Sequence, residues 1–220
     1  MTLPAPSYLP LALLKDMPVR HSWDDWDPYS LLGVQDEEIQ RRLAQVSDRA
    51  QIAYSTACAE WVVYRFEDLF DDIRPYQFLE AAWASEMSSD FVIPPQLVAD
   101  EWQGVIRAPI DLALVTILNT SYSTEDGVGH VDAAFAERIP LHVLTDPAPF
   151  LAWRAKILDR FEELFPRDPN DPAGVPVPRE AMNPDVPILK EMLNEYVTRF
   201  LSQLDESANP FLRKVKRTMA

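Results

Sequence analysis

Glycine is scarce in this chain, at 5 of 220 residues. Tight phosphate-cradling loops and hairpin turns need it. Its scarcity argues against Rossmann and P-loop nucleotide sites and against a meandering β-protein. Cysteine is scarcer still: Cys58 stands alone. No internal disulfide can form, which fits a reducing compartment and gives a cytoplasmic expectation. No apolar run reaches the length of about 18 residues that a membrane-spanning helix needs. The apolar stretch Leu9 to Leu14 is short, contains Pro10 and follows no basic segment, unlike a secretory leader. Positive charge is also in deficit. Lys and Arg total 20 against 35 Asp and Glu, for a formal net charge of -15. Such a field repels nucleic-acid backbones and speeds encounter with a basic protein.

What is plentiful is apolar and aromatic mass. Hydrophobic residues make up 47% of the chain, with 6 tryptophans and 10 phenylalanines, so a packed core is expected rather than disorder. Twenty prolines punctuate apolar-periodic runs and read as helix starts and stops. Residues 1–35 hold five prolines and no sustained period; they read as an extended arm. From Asp36, apolar residues recur at Ile39, Leu43, Val46, Ala50, Ala53, Ala57, Trp61 and Tyr64. These steps of three and four predict a long one-faced helix reaching as far as Ile73, with a bend near Cys58 or a break near Glu67. Pro75 opens a second helix to about Ser88, and Pro94-Pro95 a third. Pro109 opens a buried helix over Ile110 to Leu118. The polar segment Asn119 to Gly129 reads as a loop, and Asp132 to Arg138 as a short helix at best. Asp146-Pro147 is a cap-and-first-turn pair for a helix ending at Pro166. Residues 166–187 hold seven prolines and predict a surface loop of polyproline character. A last long helix spans about 187–205. The expectation is an all-α fold: a single-domain helical bundle of about six to eight helices over 36–220, with the 1–35 arm and the proline-rich loop packed on its surface.

Signatures of common chemistries are absent from the sequence: no Walker A loop, no Gly-x-Ser-x-Gly elbow, no Cys-x-x-Cys pair, no His-Glu-x-x-His and no Glu-x-x-His. Each supplies the turn, nucleophile or ligand spacing that its reaction needs. The three histidines are His21, His130 and His142. His130 and Asp132, with Asp126 close by, read as a polar loop entering a helix rather than as metal ligands, and His142 as a partly buried structural residue. No cofactor and no metal are expected.

Two segments stand out. Glu67, Asp68, Asp71 and Asp72 form the densest acidic cluster. Asp68 with Asp71 or Asp72 falls at helical spacing, which can put paired carboxylates on one face. Asp71-Asp72 resembles the aspartate-rich, magnesium-holding helix of all-helical prenyl-diphosphate enzymes, but Pro75 stands where the Asp-Asp-x-x-Asp string would be completed. Glu60 and Arg65 lie among Trp61, Val62, Val63, Tyr64 and Phe66, where a charge needs a partner to be buried. The second segment is Trp23, Asp24, Asp25, Trp26 and Asp27. Two indoles interleaved with carboxylates on an arm suit docking onto a basic, partly apolar surface, or stapling of the arm to its own core. The stretch Asp27 to Val34 resembles the opening of a J-domain. The His-Pro-Asp tripeptide that defines J-domain activity is absent from the chain, so no such function is implied.

Charge, helicity and missing catalytic signatures lead to a non-catalytic acidic binding protein. It would neutralise or escort a basic protein partner, as an immunity protein does for its cognate toxin, through Trp23, Asp24, Asp25, Trp26, Asp27, Glu67, Asp68, Asp71 and Asp72. No nucleic acid and no membrane partner are expected. The alternatives are a magnesium-dependent helical enzyme centred on Asp68, Asp71 and Asp72, and a structural subunit or chaperone of a helical assembly, including a homo-oligomer.

Overall fold

A short serine-capped break, not a bend at Cys58, divides the first long periodic run. The computed structural model describes residues 4–22, 36–97 and 104–216. α1 spans Leu11–Asp16, α2 Glu37–Leu43 and α3 Asp48–Arg65. Asp36 caps α2 by accepting from the backbone N–H groups of Glu38 and Ile39. The Ser47 hydroxyl accepts from Ala50 N at 3.3 Å and starts α3 afresh. Each cap satisfies donors that the first turn leaves orphaned. The linker between the helices is held from outside: Ser47 N donates to Phe165 O at 2.9 Å, and Arg167 N to Gln45 O at 2.8 Å.

α3 is the central rod. From Tyr54 to Arg65 every residue is buried, so the expectation of one apolar face was too narrow. Helices buried on all sides lack a polar stripe, and α3 is packed by α4 (Arg74–Met87), α5 (Arg107–Glu125), α6 (Gly129–Ala136) and α7 (Arg138–Val143), with α1 also against it. α8 spans Ala148–Leu164 and buries Phe150, Trp153, Ile157 and Phe161. Asp146 accepts from Ala148 N at 3.0 Å at its start. The chain's closing helix, α9, is shorter than expected, covering Leu193–Ser202 after a 3-10 turn at Lys190–Met192. Trp153 gathers the aromatic core: Tyr8 stacks on it at 5.5 Å, and Trp61 and Phe150 lie at 5.8 and 5.5 Å.

Two further expectations are corrected. Asn119 to Glu125 is helix, not loop, because α5 runs to Glu125. Its hydroxyls turn inward along the helix: Thr116, Thr120 and Ser121 donate to the carbonyls of Leu112, Thr116 and Ile117 at 2.8 to 2.9 Å. Polar residues that bond back to the preceding turn need neither water nor a loop conformation. Pro94-Pro95 opens no helix within residues 94–97, which are irregular. The remainder of that expected helix, up to 103, lies outside the described residues.

The proline-rich segment has one 3-10 turn, Arg179–Met182, and is held by side chains. Arg160 of α8 donates to the carbonyls of Ala181, Asn183, Pro184 and Val186 at 2.6 to 3.2 Å. Gly174, at φ +70, sits against Ser47, where an added Cβ would lie 2.5 Å from the Ser47 Cβ. Among the described residues the regular structure is all helical, apart from isolated β-bridges such as Val46 with Pro166. No described helix is long and apolar enough to cross a membrane.

Candidate functional site

The acidic cluster sits at the elbow between α3 and α4. α3 ends at Arg65, a 3-10 turn follows over Glu67–Leu69, Phe70 is extended, and α4 starts at Arg74 with Pro75 in its first turn. Proline fixes the backbone for a helix start without wasting a donor. The elbow opens a cleft of about 310 Å³ lined by Tyr64, Glu67, Phe70, Asp71, Asp72, Ile73 and Tyr76. Three rings form its wall. Phe70 and Tyr76 stack with centroids 5.7 Å apart and planes within 6°, and Tyr64 meets Tyr76 edge-on at 5.4 Å. Ile73, one of its lining residues, is 51% exposed.

The four carboxylates of the cluster have different roles. Glu67 and Asp68 face Lys15 of α1 at 2.9 and 3.2 Å. They hold α1 to the elbow, though exposed pairs of this kind add little stability. Asp72 accepts from the Arg74 backbone and side chain and pairs with Arg107 at 2.8 Å. Arg107 also meets Asp111 at 2.9 Å, so Asp72 ties the start of α4 to the first turn of α5. Partial burial works against ionisation of Asp72. The hydrogen bonds from Arg74 and the charge of Arg107 outweigh it and hold the carboxyl below its ordinary value. Asp71 is exposed and lines the cleft without an ion pair to any described residue. The elbow thus gathers Glu67, Asp71 and Asp72 around the aromatic wall, while Asp68 points away to Lys15. Burial, reinforced by Glu67, Tyr64 and Asp68, pushes the Tyr76 phenol up, so it stays a neutral hydrogen-bonding group.

Behind this cleft lies Glu60, which the sequence marked as a charge needing a partner; what the sequence did not mark is the partner, Arg179. Glu60 is 0% exposed and accepts from Tyr8 Oη, from Trp83 Nε1 at 3.0 Å and from Arg179 Nε at 2.7 Å. Arg179, 11% exposed, also donates to Pro4 O at 2.8 Å. Tyr64 links the two regions, since its phenol bonds Arg179; burial first, then Glu60, push that phenol up against the lowering effect of Arg179. Glu60 does not pair with Arg65, whose guanidinium donates to Met17 O. Enclosed by Tyr8, Trp83 and Arg179, Glu60 forms a buried strut between α3, α4 and the proline-rich segment. A second buried strut joins Glu137 to Tyr54 at 2.9 Å and Arg154 at 3.0 Å. No local pattern marks Arg179, which lies 119 residues from Glu60. Phe70 and Tyr76 carried a signal, as aromatics inside and just after the acidic string.

Trp23, Asp24, Asp25, Trp26 and Asp27, and the stretch to Val34, lie outside the described residues. Asp132 accepts from the Ser123 hydroxyl at 2.5 Å, and His142 meets Ser22 O at 2.8 Å. Among the described residues no group of three or more His, Cys, Asp or Glu side chains converges as a metal site would require. Comparison with protein families, curated proteins and solved structures finds no match to this chain.

Proposed function

We propose that this chain is a non-catalytic binding protein of the cytoplasm that neutralises or escorts a basic protein partner, in the manner of an immunity protein and its toxin. The observation that carries this reading is the elbow cleft, where a carboxylate without an ion pair to any described residue, a wall of three aromatic rings and the exposed aliphatic side chain of Ile73 lie together. Aromatic anchors in a partly apolar patch supply affinity, and the surrounding charge supplies steering and specificity. The net charge of -15 extends that steering to the whole surface. The described members of the expected contact set are Glu67, Asp68, Asp71 and Asp72; Lys15 partly neutralises the first two and Arg74 and Arg107 the last, which leaves Asp71 as the foremost contact.

The test is calorimetric titration of the full chain with the protein encoded by the neighbouring gene. A complex is expected whose affinity falls at least tenfold as salt rises from about 0.05 M to about 0.5 M. Absence of binding at low salt, or an affinity indifferent to salt, removes the reading.

A further inference from the structure

We infer that the cleft at the α3–α4 elbow is a receptor for one arginine side chain of the basic partner. The inference rests on the binding role proposed above and names its chemistry. The wall is a stacked pair, Phe70 on Tyr76, with Tyr64 edge-on behind it. A planar guanidinium stacks on such rings and is attracted by their negative faces, which a compact ammonium does less well. Of the carboxylates lining the cleft, Glu67 and Asp72 already hold Lys15, Arg74 and Arg107. Asp71 is exposed on the same cleft and offers two acceptors matched to the guanidinium fork. Ile73, 51% exposed, gives the aliphatic stem of an arginine an apolar surface to cover. The Tyr76 phenol is pushed up by burial, so it remains a neutral partner for the ligand's N–H groups.

The choice of arginine over other occupants follows from this combination. Rings alone would take any flat apolar group, and a carboxylate alone would take any cation. Stacked rings, one unengaged carboxylate and an aliphatic shoulder within a cleft of about 310 Å³ match a side chain that is flat and charged at its tip and aliphatic along its stem.

The experiment titrates the full chain with N-acetyl-arginine methylamide, and with its citrulline and lysine counterparts, following the ring resonances of Phe70 and Tyr76. A single side chain is expected to bind weakly, on the order of millimolar. The arginine probe should bind about fivefold or more tightly than the neutral citrulline probe, and more tightly than the lysine probe. Asp71→Asn and Ile73→Ser alter exposed positions, and each should weaken the arginine probe about threefold while leaving the thermal midpoint nearly unchanged. Tyr76→Leu removes the stacking surface and should weaken it by a similar factor. Equal binding of arginine and citrulline, or a titration unmoved by Asp71→Asn, overturns the assignment. Should that happen while the neighbouring-gene product still binds in a salt-sensitive way, the receptor fails and the binding role stands. Discrimination by the cleft without binding of that product supports the receptor and refutes the choice of partner.

Discussion

Replacing Arg179 with methionine should be among the most damaging single changes available in this protein. Glu60 has no exposure and accepts three hydrogen bonds, of which only Arg179 brings an opposite charge. Methionine fills much of the same space and leaves a buried carboxylate with two neutral donors, Tyr8 and Trp83. Stripping one member from a buried pair costs about 3–5 kcal/mol. The lost bond from Arg179 to Pro4 O adds about 0.5–1.5 kcal/mol. Against a total stability of about 5–15 kcal/mol, the variant loses between about a quarter and all of its margin. Urea unfolding followed by tryptophan fluorescence should show the midpoint falling by about 1 M or more. Glu60→Leu alone should also be costly, since it strands the Trp83 N–H and the Arg179 guanidinium. The double variant should be less damaged than the sum of the two, with a coupling of about 2 kcal/mol or more. A loss below about 1 kcal/mol for Arg179→Met, or strict additivity in the cycle, would refute the view that this pair is a buried strut.

Two other perturbations test the packing of the proline-rich segment. Glu86 is fully buried, its Oε1 accepts from Val177 N at 2.9 Å, and burial pushes its carboxyl up to about 8 against the opposing effects of the Val177 N–H and Arg49. The folded state therefore holds this proton more tightly than the unfolded chain, so stability falls as pH rises from the ordinary glutamate value of 4.5 through about 8. Glu86→Gln keeps an acceptor for Val177 and cannot ionise, so its thermal midpoint should gain on the parent between pH 5 and pH 8; parallel profiles would show that Glu86 does not titrate in this range. Gly174→Ala must place a Cβ 2.5 Å from the Ser47 Cβ at a φ of +70. A left-handed alanine costs about 1 kcal/mol and overpacking about 1–3 kcal/mol more, so a loss of about 2 kcal/mol or more is expected in thermal melts, and a change within 0.5 kcal/mol, roughly the range of a neutral surface substitution, counts against the contact.

How far the sequence reveals the fold depends on how local each signal is. α4 was legible because Pro75 and an apolar period coincide within a few residues, and α8 because the Asp146-Pro147 pair does the same. The break before α3 was hidden, since apolar spacing runs on through Leu43, Val46 and Ala50 while the interruption is fixed by Phe165 and Pro166 from far along the chain. α5 was cut short in the reading because Asn119 to Glu125 is polar, yet its hydroxyls are satisfied within the helix. The carboxylates of the elbow were visible as an acidic string. Their inequality was not: Lys15 and Arg107 decide which of them are occupied, and both are remote in sequence. Tyr64 reads as one more core residue until Tyr76 is seen beside it.

The strut through Glu60 has a bearing on the order in which the molecule can close. Synthesis delivers α3 long before Arg179, which is 119 residues downstream, and Arg179 in turn secures Pro4, 175 residues upstream. Until the ribosome has released the proline-rich segment, sealing α3 inside its neighbours would entomb an anion without a counterion. Arg179 therefore serves as the latch: α3 gains a counterion for this carboxylate only when the proline-rich segment and the segment around Pro4 meet over it.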